Sequence, residues 1–423
     1  MESSERDTLR SILHDLRASV RDLPTFARWF ACFYLAHILA QGKIALSEIA
    51  LALTLLFFVI AFARREIRRS FHIIYYPLAL YGVVSTVSAL VNHSTTHAFG
   101  ETAVWMKMLV FPAAIMLFRS FPAVRAGALA SQAMFASAIA VYGILQYFTA
   151  TQRDLEHRIT GPSTHVMTYS GLLLPVSLLM VVLAAHRRRP WMIATAALTT
   201  FALLLTFTRS VWLGWLVAIF VLLELKRSHW MMYAVPLLLI FVSFMPESMF
   251  GRLVSSFNVK QSSNLDRIRM AEAGVEIIKD HPVFGVGPAQ VKEVYPLYRA
   301  EDAPRFRPPH LHNNLIQLWA ERGVLAVAAY ILLLYLFLRE CWRGWRGPGA
   351  AFAEAGLAMA VGLAYAGLFE FNFGDTEVFL MLLELYALVI VSIEAAAAGV
   401  ERAPNEPSPG GVPPVSALVQ PSA

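Results

Sequence analysis

The chain has 423 residues, 57% of them hydrophobic and 15% charged, with a formal net charge of +6, and its mean hydropathy is +0.56. Soluble domains hold roughly 45–50% apolar and about 25% charged residues, so a soluble globule has no place for this apolar surplus. Two cysteines exclude a disulfide-stapled secreted scaffold, and the apolar fraction excludes disorder except locally. The composition describes an all-α polytopic membrane protein.

Residues 1–23 (MESSERDTLRSILHDLRASVRDL) form a charged, weakly amphipathic segment without the pattern of a cleavable signal peptide. The first apolar span after it reads as a signal anchor. A spanning helix needs about 20 mostly apolar residues. Twelve segments qualify: roughly 24–41, 44–63, 72–92, 103–119, 122–148, 165–185, 191–206, 210–225, 230–246, 313–338, 351–370 and 376–398. The division is then spans one to nine in 24–246, one large loop with amphipathic helices in 247–312, spans ten to twelve in 313–398, and a Pro/Gly/Ser-rich disordered tail in 399–423.

Basic residues set the orientation. Arg6, Arg10, Arg17 and Arg21 precede the first span, and Arg64, Arg65, Arg68 and Arg69 follow the second. Arg119, Arg125, Arg187 to Arg189, Lys226, Arg227, Arg339, Arg343, Arg346 and Arg402 fall on the same side, giving nineteen of the 35 Lys and Arg. The short opposite loops hold only Lys43, Arg153, Arg158 and Arg209. By the positive-inside rule both termini are cytoplasmic. The basic balance is therefore mostly topology, and a nucleic-acid partner is not expected.

The large loop lies on the other face and carries nine Lys and Arg, from Arg252 to Arg307, for which orientation gives no reason. Within it, Asn264 to Asp280 (NLDRIRMAEAGVEIIKD) reads as an amphipathic helix. At about 100° per residue, Ile268, Ala271, Val275 and Ile278 form its apolar stripe. Arg267 flanks that stripe and is the arginine expected to tuck against the membrane domain, while Arg269 points away; a helix resting on the bilayer with both arginines at headgroups is the alternative. HPVFGVGP (His281 to Pro288) is turn-rich, and a connector suffices to explain it. HLHNN (His310 to Asn314) opens the tenth span, where a histidine could act as a general base or serve only at the interface. Arg209 in TFTRS sits between two apolar spans, at a depth where arginine is costly unless it snorkels or has a function. Arg158 precedes a span on the same face, and Glu370 and Asp375 bracket FNFG in the last turn there. The other in-span ionisable residues, Arg28, Glu48, Lys107 and Glu384, mostly lie near span ends. One face thus gathers arginines and a histidine. No cluster of His, Cys and carboxylates is visible there, so neither a metal nor another cofactor is expected.

These residues resemble the O-antigen ligase/polymerase superfamily of bacterial envelope glycosyltransferases. TFTRSVWLGW (Thr206 to Trp215) resembles its arginine-bearing segment that opens a span, and DRIRMAEAGVEIIKDHPVFGVGP (Asp266 to Pro288) resembles its large-loop segment. HNNLIQLWAERG (His312 to Gly323) matches the ligase pattern of His, Asn, nine residues and Gly, although Ala326 stands where Gly, Thr or Tyr is usual. The resemblance implies a GT-C-like fold in the inner membrane of a Gram-negative bacterium. It also implies transfer of a glycan from undecaprenyl diphosphate to a sugar hydroxyl of lipid A–core. His312 would then be the base, with Arg209 and Arg267 on the diphosphate. Arg158 and Arg269 would lie on the substrate side, Asn313 would position the helix start, and Glu370 or Asp375 would orient His312 or Arg209. An O-antigen polymerase and a protein O-oligosaccharyltransferase are the nearest alternatives. A polymerase normally brings two large loops, and only one is present. A transporter, from another class, predicts mid-membrane ionisable residues and repeats.

Overall fold

The computed structural model describes residues 19–92, 100, 104, 106–150, 158–163, 165–227, 251, 254 and 261–401. The expected span at 230–246 lies outside them, as do Arg6, Arg10, Arg17, Arg153, Arg252, Arg402 and the tail beyond 401. Among the described residues there is no strand. The helices are α1 (Thr25–Ala40), α2 (Ile44–Ala63), α3 (Tyr75–Val91), α4 (Val110–Ser120), α5 (Pro122–Thr149), α6 (Val166–Arg187) and α7 (Pro190–Leu205). They continue with α8 (Arg209–Leu225), α9 (Ser262–Asp280), α10 (Val291–Tyr298), α11 (Asn314–Arg322), α12 (Val324–Gly344), α13 (Ala350–Ala366) and α14 (Thr376–Glu401).

Among the described residues five helices, α2, α5, α6, α12 and α14, are long and apolar enough to cross a membrane, and α1, α3, α7 and α13 are shorter apolar helices. This is the make-up of a multi-pass membrane protein. α6 and α14 are buried on almost every face and form the centre. Leu46, Ile49, Leu56 and Val59 of α2, with Tyr142, Leu145 and Phe148 of α5, instead face outward. An apolar outer surface of this extent suits lipid and would be a liability in water. Small residues allow a close crossing of α8 and α13: a Cβ on Gly214 would collide with the Gly362 carbonyl.

Two expectations need correction. The tenth span, read as one helix over 313–338, is two helices broken at Gly323 (φ +82°). The carbonyl of Val283 occupies the space a Cβ there would need, so only glycine fits at the break, with a chain segment packed against it. Glu384 does not lie at a helix end: it is buried within α14, accepts from Gln41 and Gln132, and sits 3.4 Å from His37 Nε2. This network ties α1, α5 and α14 together. Lys107, by contrast, pairs at 2.7 Å with Glu48 in a partly exposed position.

Candidate active site

The site is assembled by the segment between α8 and α12. HPVFGVGP, which reads as a connector, is a strap. Val286 N donates to Ala320 O at 2.8 Å, Gly287 N to Glu321 O at 2.9 Å and Val324 N to Pro282 O at 3.1 Å. Ser88 Oγ of α3 donates to Phe284 O at 2.6 Å. At Gly285 (φ +64°) a Cβ would overlap the backbone of Glu321, so only glycine permits this approach. The strap clamps the C-terminal end of α11 to the bundle.

The inward face of α9 also differs from expectation. Met270, Ala273, Gly274 and Ile277 are buried, whereas Ile268 and Val275 are exposed. Size decides it: a Cβ on Gly274 would overlap Ile316 and Leu311, so the small side lets α9 approach α11 most closely.

The N-terminus of α11 is held from several directions. Asn313 caps it, accepting from Ile316 N at 3.0 Å and donating to Leu368 O at 2.9 Å. Asn314, buried, donates to Asn372 Oδ1 at 2.7 Å and accepts from Phe373 N at 3.2 Å, while its own N–H bonds Gly367 O at 2.7 Å. Sequence reasoning passed over Asn314 and Asn372, although the Asn–Asn doublet and the FNFG turn were in view. These contacts over-determine the strained backbone of His312, whose φ is +51°.

That strain presents the His312 side chain to the turn after α13. Its Nδ1 lies 2.9 Å from Glu370 Oε2. His310 Nε2 lies 3.5 Å from the other carboxylate oxygen, and the two imidazoles are 4.3 Å apart between centroids. Burial alone would raise the Glu370 carboxyl, but the hydrogen bond and charge of His312, with His310 and Arg267, outweigh it and hold it below the usual range. Burial pushes His310 down to about 4, against the pull of Glu370, so it is neutral at pH 7. Between the two candidate carboxylates the geometry selects Glu370. Asp375 instead caps α14, accepting from Glu377 N at 3.1 Å and Val378 N at 3.3 Å, and is bonded by Thr168.

Arg267 projects from α9 beside this pair. Burial lowers its pKa and the charge of Glu370 offsets part of that, and its Nε is buried without a hydrogen-bond partner. Arg209, only 8% exposed at the start of α8, reaches the first turn of α9: Nη2 donates to Asn264 Oδ1 at 2.8 Å and Nη1 to Gln261 Oε1 at 3.4 Å. It therefore meets the same helix one turn before Arg267. Arg158 sits half-buried between α5 and α6 at this end of the bundle. Arg269 is elsewhere, in an exposed network with Glu272 (2.7 Å) and Asp302 (2.6 Å) that leaves it no role in this cluster.

The absence of a His and carboxylate cluster, expected from the sequence, is also corrected. His310, His312 and Glu370 bring ligand-type atoms within 4.8 Å of one another. They come from segments 58 residues apart, which concealed them. Both carboxylate oxygens already face imidazoles, and the charges of Arg267 and Arg305 bear on the same groups. A cation would have to compete with all of these.

A multi-pass helical protein with a carboxylate-oriented histidine beside buried arginines has the equipment to move a proton near an anionic substrate. The family model described as O-antigen ligase matches residues 193–331, about a third of the chain, and supports membership of the O-antigen ligase superfamily. The match contains Arg209, Arg267, His312 and Asn313, while Glu370 lies beyond it. That family implies an enzyme of the lipid-linked-glycan glycosyltransferase type, acting on a lipid-linked oligosaccharide and a lipid acceptor. The chain has no significant match among curated protein sequences.

Proposed function

We propose that this chain is an O-antigen ligase, transferring a glycan from undecaprenyl diphosphate to a sugar hydroxyl of lipid A–core on the periplasmic face of the inner membrane. The observation that carries the reading is the His312–Glu370 pair. With Nδ1–H donated to Glu370, the His312 tautomer is fixed and Nε2 carries the basic lone pair. His312 Nε2 takes the proton of the acceptor hydroxyl. The hydroxyl oxygen bonds the anomeric carbon as the bond from that carbon to the diphosphate oxygen breaks. Arg267 and Arg209 receive the charge that develops on the leaving diphosphate, through planar guanidinium groups suited to phosphate oxygens. Arg158 assists on the donor side. A single displacement of this kind inverts the anomeric configuration.

The test is transfer by the purified protein between undecaprenyl-diphosphate glycan and lipid A–core, without ATP or added metal, scored as a gel ladder. His312→Ala should abolish the ladder and His310→Ala should retain it. Equal activity in the His312 variant would refute the base assignment, and loss of activity with EDTA would refute a metal-free reaction.

A further inference from the structure

At the opposite end of the bundle lies a cleft of about 350 Å³. It is lined by Arg125, Arg187 and Arg189, residues that topology alone would explain. None of the three has a carboxylate partner among the described residues. Arg125 donates only to backbone carbonyls, of Pro122 at 3.3 Å and Val391 at 3.1 Å, and Arg187 lies 4.9 Å over the Phe352 ring. The acids at this end are engaged elsewhere: Glu354 by His186 and Lys226, each at 2.8 Å, and Glu394 by Arg119 at 2.7 Å. Three guanidinium groups are thus gathered around one space with no carboxylate in contact among the described residues; only Glu394, itself bound by Arg119, offsets Arg125 from a distance.

The backbone adds to the same field. The first turns of α5, α7 and α13 all line this cleft, through Pro122, Trp191 and Ala351 among others. None of the three has a side-chain cap or an acidic residue in its first turn. Pro122 and Pro190 open two of these helices without an N–H, and several of the next N–H groups bond back to the preceding turn, so the backbone acts chiefly through the positive ends of three helix dipoles. Like charge gathered in this way favours an anion over bare solvent, and guanidinium forks beside helix N-termini are groups that bind phosphate. One wall is apolar, made by Leu129, Trp191 and Met192. It continues into the outward face of α7, where Ile193 is 50% exposed. Arginines at a helix end beside an outward-facing apolar surface mark the headgroup level of a bilayer.

We propose that this cleft binds the phosphate headgroup of an anionic glycerophospholipid, with its acyl chains along α7. The site is separate from the glycosyl-transfer centre and does not depend on that assignment. The test is native mass spectrometry of the delipidated full chain in mild detergent, given phosphatidylglycerol, cardiolipin and phosphatidylethanolamine at equal concentration. The wild type should retain the two anionic lipids at least about tenfold over phosphatidylethanolamine. Combined Arg125→Gln, Arg187→Gln and Arg189→Gln should remove that preference. Ala351→Glu, which sets a carboxylate in the cleft without touching an arginine, should remove it too and guards against a triple variant that fails to fold. Arg339→Gln with Arg343→Gln, residues paired with Glu340, should leave it unchanged. Absence of preference in the wild type, or its survival in the Ala351→Glu variant, would overturn the proposal. Complete displacement of lipid by equimolar glycerol 3-phosphate would assign the cleft to a soluble phosphate and overturn it equally.

Discussion

Replacing Glu370 by glutamine changes one charge and almost no volume, which makes it the sharpest probe of the proposed base. The carboxylate lies 2.9 Å from His312 Nδ1 and is buried. When His312 takes the acceptor proton, an imidazolium forms against that carboxylate. Two unit charges about 4 Å apart at an effective dielectric near 20 attract by about 4 kcal/mol. Glutamine keeps a neutral hydrogen bond worth about 1 kcal/mol, so about 3 kcal/mol of transition-state stabilisation is lost, or roughly a hundredfold in kcat. Arg267, whose own charge acts on Glu370, works against the imidazolium and makes this an upper value. The arginines proposed to hold the diphosphate are untouched, so KM should move little. Initial rates of glycan transfer at saturating donor and acceptor read the effect, with Asp375→Asn as the comparison, because Asp375 caps α14 and does not bond His312. Glu370→Gln within threefold of wild type, or a loss confined to KM, would refute the orientation of His312 by Glu370.

Other consequences concern the frame around the pair. His310 is held near 4 instead of 6.5 by burial, so the unfolded chain binds its proton first. Its contribution to stability is complete above about pH 6.5 and falls as the pH drops toward 4, by about 3 kcal/mol across that window. Thermal melts between pH 7.5 and 5 should therefore fall more steeply for wild type than for His310→Asn, and parallel curves would refute this. Gly323→Ala must place a Cβ on the Val283 carbonyl at φ +82°, and folded yield should drop sharply, as measured by monodisperse recovery from detergent. Asn314→Ala removes two side-chain hydrogen bonds that tie α11 to the FNFG turn. It should cost about 2–3 kcal/mol and lower both Tm and transfer rate; an unchanged Tm would show that the turn does not depend on this residue.

The sequence made the helices legible because long apolar runs have few alternatives in a membrane. Among the described residues most of the expected segments carry a helix, from Thr25–Ala40 to Thr376–Glu401, although the one at 230–246 lies outside them and the tenth is broken at Gly323. What it did not reveal are the choices made by close packing. The face of α9 follows Ala273 and Gly274 where hydrophobicity alone points to Ile268 and Val275, and the break at Gly323 follows the strap lying on it. His312 and Arg267 carried local signals, a polar cluster at a helix start and an arginine flanking an apolar stripe. Glu370 could only be narrowed to one of two acids in a turn, because its meeting with His312 is a property of the tertiary fold.

Orientation is a property of a loop as a whole, and this limits what charge counting can exclude. Arg125, Arg187 and Arg189 satisfy the positive-inside rule, and so gave no reason to look further. The rule constrains the side on which a basic residue lies; it says nothing about whether three of them converge. In this bundle they do, because α5 and α7 begin where α6 ends and α13 begins beside them. The arrangement also sets the polarity of the molecule. At one end the arginines stand beside a buried carboxylate and two imidazoles, a combination that can move a proton. At the other they stand beside the positive ends of helices, with the nearby acids Glu354 and Glu394 already paired, an arrangement that can hold an anion. On the two proposals made above, the same residue type would serve chemistry at one end and retention at the other, and the difference would lie in the company each arginine keeps.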